Sequence, residues 1–310
     1  MYAALLTALL FALTGVCAAQ ASSLLGAGRA NAWRLVIALA VLGVWAHGFG
    51  SGLGGGVLRW FMCAGGIGFG LGGWCVFQSL RRIGSTLTLL IVECSAALFA
   101  TAIGWIFLGA SLQIGEIALV VLILAGVVMG LAPGLSVVDA RSAVRPRRRV
   151  ILTGTALATA AALLQAVSFN LSRHAFSLLE TSGASIKPLD AAYQRLLGGF
   201  LVALFLYAVT VCVRRFRPGK PGITSTFPES PLPAPVWVTL NALFGPVLGV
   251  TCMLWAISLV ANPGLVQAVA ASATLLTVPF ARRLESSRPG LSYYLGCLLA
   301  LGGIAGLLLS

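Results

Sequence analysis

The chain has 310 residues, 59% of them apolar and only 9% charged, with 20 basic against seven acidic side chains and a net charge of +13. Soluble globular chains carry about a quarter charged residues, so a soluble enzyme, a disordered chain and a collagen-like chain are all excluded. The basic residues fall in short clusters between apolar runs with no nucleic-acid motif, which points to loops held at one membrane face and against a nucleic-acid partner.

Ten segments have the roughly 20 mostly apolar residues that a helix needs to cross the hydrocarbon core. In chain order they are Tyr2–Gln20, Ala32–Phe49, Val57–Leu80, Ser85–Phe107 and Gly115–Leu131, then Val150–Leu171, Leu189–Val213, Pro235–Val260, Gly264–Ala281 and Leu291–Leu309. Their apolar runs are long and unbroken, which favours helices over the ten-residue alternation of barrel strands. The first segment has no basic residue before its apolar run and is read as a retained span, not a cleaved signal. A basic linker over 139–149, with Arg141, Arg145, Arg147, Arg148 and Arg149, separates a first unit (1–138) from a second (150–310), each of five spans. A Pro- and Ser-rich stretch, Arg214–Ala234, reads as an irregular solvated loop.

Orientation follows from the positive-inside rule. Loops after odd-numbered spans hold Arg29, Arg81, Arg82, the five linker arginines, Arg214, Arg215, Arg217, Lys220, Arg282, Arg283 and Arg288. Loops after even-numbered spans hold only Arg59, Arg173 and Lys187. The linker is therefore expected in the cytoplasm and both termini outside.

The second unit echoes the first. At an offset of 179, Gly66 meets Gly245, Gly70 meets Gly249 and Ser79-Leu80 meets Ser258-Leu259; at 161, Trp33-Arg34-Leu35 meets Gln194-Arg195-Leu196. Units of five spans must cross in opposite senses, so the expected fold is all-α integral membrane, ten transmembrane helices as two inverted five-helix repeats. Secondary transporters use inverted repeats to build two interchangeable conformations around a midplane site.

Several pieces resemble the drug/metabolite transporter superfamily, in particular its EamA-domain members. They are Trp33-Arg34-Leu35-Val36, Tyr193-Gln194-Arg195-Leu196-Leu197, Trp255-Ala256-Ile257-Ser258-Leu259, Thr277-Val278-Pro279-Phe280 and the closing Gly296-Cys297-Leu298-Leu299-Ala300-Leu301-Gly302-Gly303. Where the family commonly writes Leu-Gly-Glu, this chain has Leu108-Gly109-Ala110, so that position carries no inference. The resemblance implies a transporter, often an exporter, of small metabolites, amino acids or drugs, in a bacterial inner membrane.

An ionisable group at mid-bilayer costs about 2.5–3.5 kcal/mol on insertion scales and needs a reason. Glu93, between Leu89-Leu90-Ile91-Val92 and Ala96-Ala97-Leu98-Phe99, is the outlier. It is a candidate for proton exchange or substrate binding, weighed against a structural hydrogen bond. Arg34 and Arg195 open their spans, and the short reach favours snorkelling to the headgroups over anchoring an anionic substrate at a cavity mouth. Gln20, Gln78, Gln165, Asn170 and Gln267 are candidates to line a cavity with Trp74 and Trp255, or else to join helices as polar glue. Gly66, Gly70, Gly245 and Gly249 are expected to let helices approach closely. Glu116 and Asp190 are expected at the interface.

The seven cysteines stand singly inside apolar runs without a CxxC, and His47 and His174 are the only histidines. No HExxH, GxSxG or Walker motif occurs, so neither a metal site, a cofactor nor ATP hydrolysis is expected. A secondary transporter working by alternating access is the leading reading, with protons as candidate coupling ion and a monomer or homodimer as the working form. The alternatives are a membrane enzyme acting on lipid-linked substrates and a non-transporting scaffold.

Overall fold

The computed structural model describes residues 2–109, 112–141, 148–216, 232–277 and 291–309. The described residues are predominantly helical, with no strand among them. The helices are α1 (Tyr2–Leu25), α2 (Ala27–Phe49), α3 (Leu58–Gly84), α4 (Leu87–Leu108) and α5 (Ile114–Arg141). They continue as α6 (Arg148–Ser182), α7 (Pro188–Phe216), α8 (Ala234–Ser258), α9 (Pro263–Thr277) and α10 (Leu291–Leu309). Seven of them (α1 to α4 and α6 to α8) are long and apolar enough to cross a membrane. Three stretches are apolar but shorter: Ile114–Met129, Pro263–Thr277 and Tyr294–Gly306.

The packing is that of a bundle in lipid. Its interior is lined by small side chains, among them Ala4, Ala8, Ala12, Ala96, Ala100, Ala158 and Ala270, which let backbones come close. Large apolar side chains such as Phe107, Ile106, Phe205 and Leu298 are more than half exposed. A solvent-facing surface of that kind would drive aggregation, whereas hydrocarbon tails match it. The chain is a multi-pass integral membrane protein.

Helix ends depart from the apolar limits where polar side chains supply their own partners. The sixth apolar run stops at Leu171, yet α6 continues to Ser182. There Arg173 reaches Glu180 at 2.7 Å, two turns on, while Ser177, Thr181 and Ser182 bond carbonyls one turn back. Similarly, α1 runs past Gln20 to Leu25, with Ser22 and Ser23 bonded to the carbonyls of Ala19 and Gln20. Between α3 and α4 the chain turns at Gly84, whose φ of 76° and ψ of 175° break the helix without a loop. That φ lies in the region favouring glycine.

α2 packs on α7, α4 on α9 and α5 on α10. α2 and α7 run antiparallel, since Gly28 lies against Tyr207 while Gly43 and His47 lie against Tyr193. α3 and α8 each carry a π-helical stretch, over Gly66–Gly72 and Leu243–Gly249. Within these, Gly68 faces the Ser168 hydroxyl of α6 and Gly245 faces the Thr14 hydroxyl of α1. Both comparisons place the stretches 177 residues apart, two fewer than the offset that best superposes the glycines in sequence. In helices this rich in glycine, residue identities match by composition in more than one register.

Candidate functional site

α4 carries Glu93 at its seventh position, about 9 Å from the helix start at 1.5 Å per residue. The residue is 5% exposed. Gln267 of α9 donates its Nε2–H to Glu93 Oε2 at 2.5 Å, and the Gln165 side chain of α6 hydrogen-bonds the same carboxyl. One acid on α4 is thus held by amides from α6 and α9. About two turns further along α4 the helices are registered by further polar ties. Asn170 of α6 donates to the carbonyl of Ala100, and Asn262 beside α9 donates to that of Thr101.

An amide suits a carboxyl that changes its protonation state. Its N–H donates to the carboxylate, and its oxygen accepts from the carboxylic acid once the amide turns over. Gln267 Oε1 is buried without a partner, so that acceptor is available.

The two arginines occupy equivalent places. Arg34 is the eighth residue of α2 and Arg195 the eighth of α7, each about 10 Å from its helix start. Because the helices are antiparallel, the arginines lie toward opposite ends of the pair. Neither snorkels: Arg34 is 9% and Arg195 2% exposed. The expected reach to the headgroups fails because each guanidinium is captured inside the bundle. Arg34 Nε donates to Asn31 Oδ1 at 3.0 Å and its Cζ lies 4.8 Å from the Phe77 ring centre. Arg195 Nη2 donates to Ser168 Oγ at 2.7 Å, between the rings of Phe69 and Phe169. Among the described residues, neither arginine is paired with a carboxylate.

The remaining candidates separate. Gln78 accepts from Arg82 at 2.8 Å, Trp74 packs with Cys75, Val92, Ala158 and Ala161, and Asn170 ties α6 to α4. Gln20 is buried in α1 with Oε1 unpartnered. Trp255 is half exposed and lines a crevice of about 500 Å³ with Phe176, Leu179, Ile186 and Thr251, which Glu93 does not line. Gly66 and Gly70 pack on Val202, Gly245 on Thr14 and Gly249 on the Phe11 ring. Asp190, expected at the interface, is fully buried, where its Oδ2 accepts from the backbone N–H and hydroxyl of Ser51 at 2.9 and 3.0 Å. Glu116 is partly exposed and accepts from the Gln113 N–H as a helix cap. His47 bonds the Tyr193 hydroxyl, and His174 stands edge-on to Trp60.

Sequence reasoning passed over Ser168, Thr14 and Asn241, because lone hydroxyls and amides in apolar helices are usually glue. Asn241, fully buried in α8, has no partner for either amide atom, and neither has Thr14 Oγ1. It also passed over Gly65 and Gly198, which sit where α3 and α7 touch backbone to backbone. The Gly198-Gly199 pair three residues after Arg195 was the available signal.

Residues 1–131 match the EamA-like transporter family, which belongs to the drug/metabolite transporter superfamily. Among solved structures, 26 chains match this chain. One of them, described as "Crystal structure of protein", is 19% identical with a TM-score of 0.66, covering 100% of this chain and 96% of that chain. At that identity the likeness is one of fold alone. No curated protein matches.

Proposed function

We propose that this protein is a secondary transporter of small organic solutes, working by alternating access between two inverted five-helix repeats and coupled to protons at Glu93. The observation that carries the reading is the Glu93–Gln267–Gln165 cluster, where one buried carboxyl joins a helix of the first unit to two of the second. A rearrangement between the units changes the cluster, and a change of charge on Glu93 biases the rearrangement. Two further observations support the repeat: the arginines at equivalent places on antiparallel helices, and the paired π-helical stretches, each facing a hydroxyl of the other unit. π-helical turns recur at functional sites.

In this reading the ten helices each cross the bilayer of a bacterial inner membrane. The termini lie outside and the basic linker in the cytoplasm, and the direction is export of metabolites, amino acids or drugs. Gln20, Trp74, Gln78, Asn170 and Trp255 then serve packing or the walls of the path, and Glu93, Gln165 and Gln267 the coupling site.

The test uses the purified protein in proteoliposomes enclosing a pH-sensitive dye, with an imposed pH gradient and a panel of labelled amino acids and organic cations and anions. Solute flux should move protons in the wild type. In Glu93→Gln, which keeps an amide-compatible shape, solute-driven proton movement should be lost while the purified protein still elutes and melts as a folded species. Undiminished coupling in Glu93→Gln would remove the role.

A further inference from the structure

We infer that Arg195 and Ser168 form an anion anchor that takes the carboxylate of a monoanionic organic solute. This deepens the transporter reading and rests on it for the solute's passage, though not for its binding.

The donors of Arg195 are only partly used. Nη2 donates to Ser168 Oγ at 2.7 Å, and that hydroxyl spends its one proton on the carbonyl of Ala64 at 2.6 Å. Nε and Nη1 are buried and find no acceptor among the described residues. The rings of Phe69 and Phe169, 5.4 and 5.0 Å from Cζ, ease the burial of the charge without offering an oxygen. By contrast, Arg82 Nη1 donates to both the carbonyl and the side-chain oxygen of Gln78. A cation left buried and unpaired costs several kcal/mol, so a guanidinium held this way calls for an anion that comes and goes.

Its place relative to Glu93 is set by one turn of α6. Ser168, which holds Arg195, and Gln165, which reaches Glu93, are three residues apart and so lie on one face of the helix. Opposite them Gly68 packs directly on this pair, since a Cβ there would clash with the Ser168 hydroxyl and lie 3.5 Å from Arg195 Nη2. Gly68 and Gln165 are both partly exposed, unlike the arginine itself.

The chemistry of the ligand follows from charge and shape. A single guanidinium neutralises one negative charge, which a carboxylate supplies and a phosphate dianion exceeds. The planar guanidinium matches a carboxylate, and the flanking rings suit the apolar body of an organic acid.

The test is thermal unfolding of the full-length protein in detergent with acetate, benzoate and indole-3-acetate as probes. Benzamide, indole-3-acetamide and inorganic phosphate serve as controls at matched ionic strength. At least one carboxylate should raise the melting temperature in a saturable manner that its amide and phosphate do not reproduce. The shift should vanish in Arg195→Gln, and affinity should fall roughly tenfold in Ser168→Ala. Absence of any carboxylate-specific shift, or a shift that survives Arg195→Gln, overturns the anchor. Should Arg195→Gln not fold, unchanged affinity in Ser168→Ala does so. Flux of the same probes into proteoliposomes separates the two ideas. Carboxylate binding without flux of any solute leaves the anchor and removes the transporter. Proton-coupled flux of a solute without carboxylate binding does the reverse.

Discussion

The contact between α3 and α7 gives the sharpest stability prediction, because it is made of backbone. A Cβ on Gly65 would strike the carbonyl oxygen of Arg195 and lie 2.5 Å from its carbonyl carbon and 2.8 Å from its Cα. Non-bonded carbons settle at about 3.5–4.0 Å, so the helices must part by roughly 1 Å in Gly65→Ala. No rotamer change relieves the clash. Gly198 stands in the same relation to Met62, with a Cβ there 2.6 Å from the carbonyl carbon. Overpacking of this kind costs about 1–3 kcal/mol, and a rigid obstacle puts Gly65→Ala in the upper part of that range. The matched control is Gly302→Ala in α10, where a Cβ meets nothing within 4 Å and the gain in helix propensity is about 0.5–1 kcal/mol. Thermal unfolding in detergent, followed by tryptophan fluorescence, should place Gly302→Ala at or above wild type and Gly65→Ala clearly below. Gly65→Ala combined with Gly198→Ala should cost less than the two apart, since one separation relieves both clashes. If Gly65→Ala melts with the wild type, the close crossing that sets the position of Arg195 is wrong.

Three further predictions use the same assay. Gly84→Ala should lose about 1–3 kcal/mol through its positive φ alone, because a Cβ there meets nothing within 4 Å. Asp190→Ala should lose about 1–3 kcal/mol by orphaning the Ser51 N–H and loosening the start of the 50–54 turn, which Gln194 of α7 still holds at the carbonyls of Gly52 and Gly54, with proteolytic nicking there as a second readout. Arg173→Ala should change stability by less than about 1 kcal/mol, since its pairing with Glu180 lies at the surface with the carboxylate half exposed, and the loss should shrink further in high salt.

Membrane residence, helical character and the run of apolar segments were legible in the sequence, because a bilayer allows few ways to satisfy a backbone. The cost of burying Glu93 was legible too: a lone carboxyl in a long apolar run is costly in any arrangement of the helices around it. So were Gln165 and Gln267 as candidates, but sequence left them level with Gln78 and Trp255, because nothing local says which face of which helix meets which. Tertiary packing chose among them, bringing Gln165 and Gln267 to the carboxyl and leaving Trp255 half exposed on another crevice. It also reversed the expectation for the arginines. Snorkelling was judged from distance along each helix, whereas burial of Arg34 and Arg195 depends on Phe77, Ser168, Phe69 and Phe169, side chains drawn from other helices. What a residue costs in lipid is written in the chain; what compensates that cost lies across helix contacts, which only the fold creates.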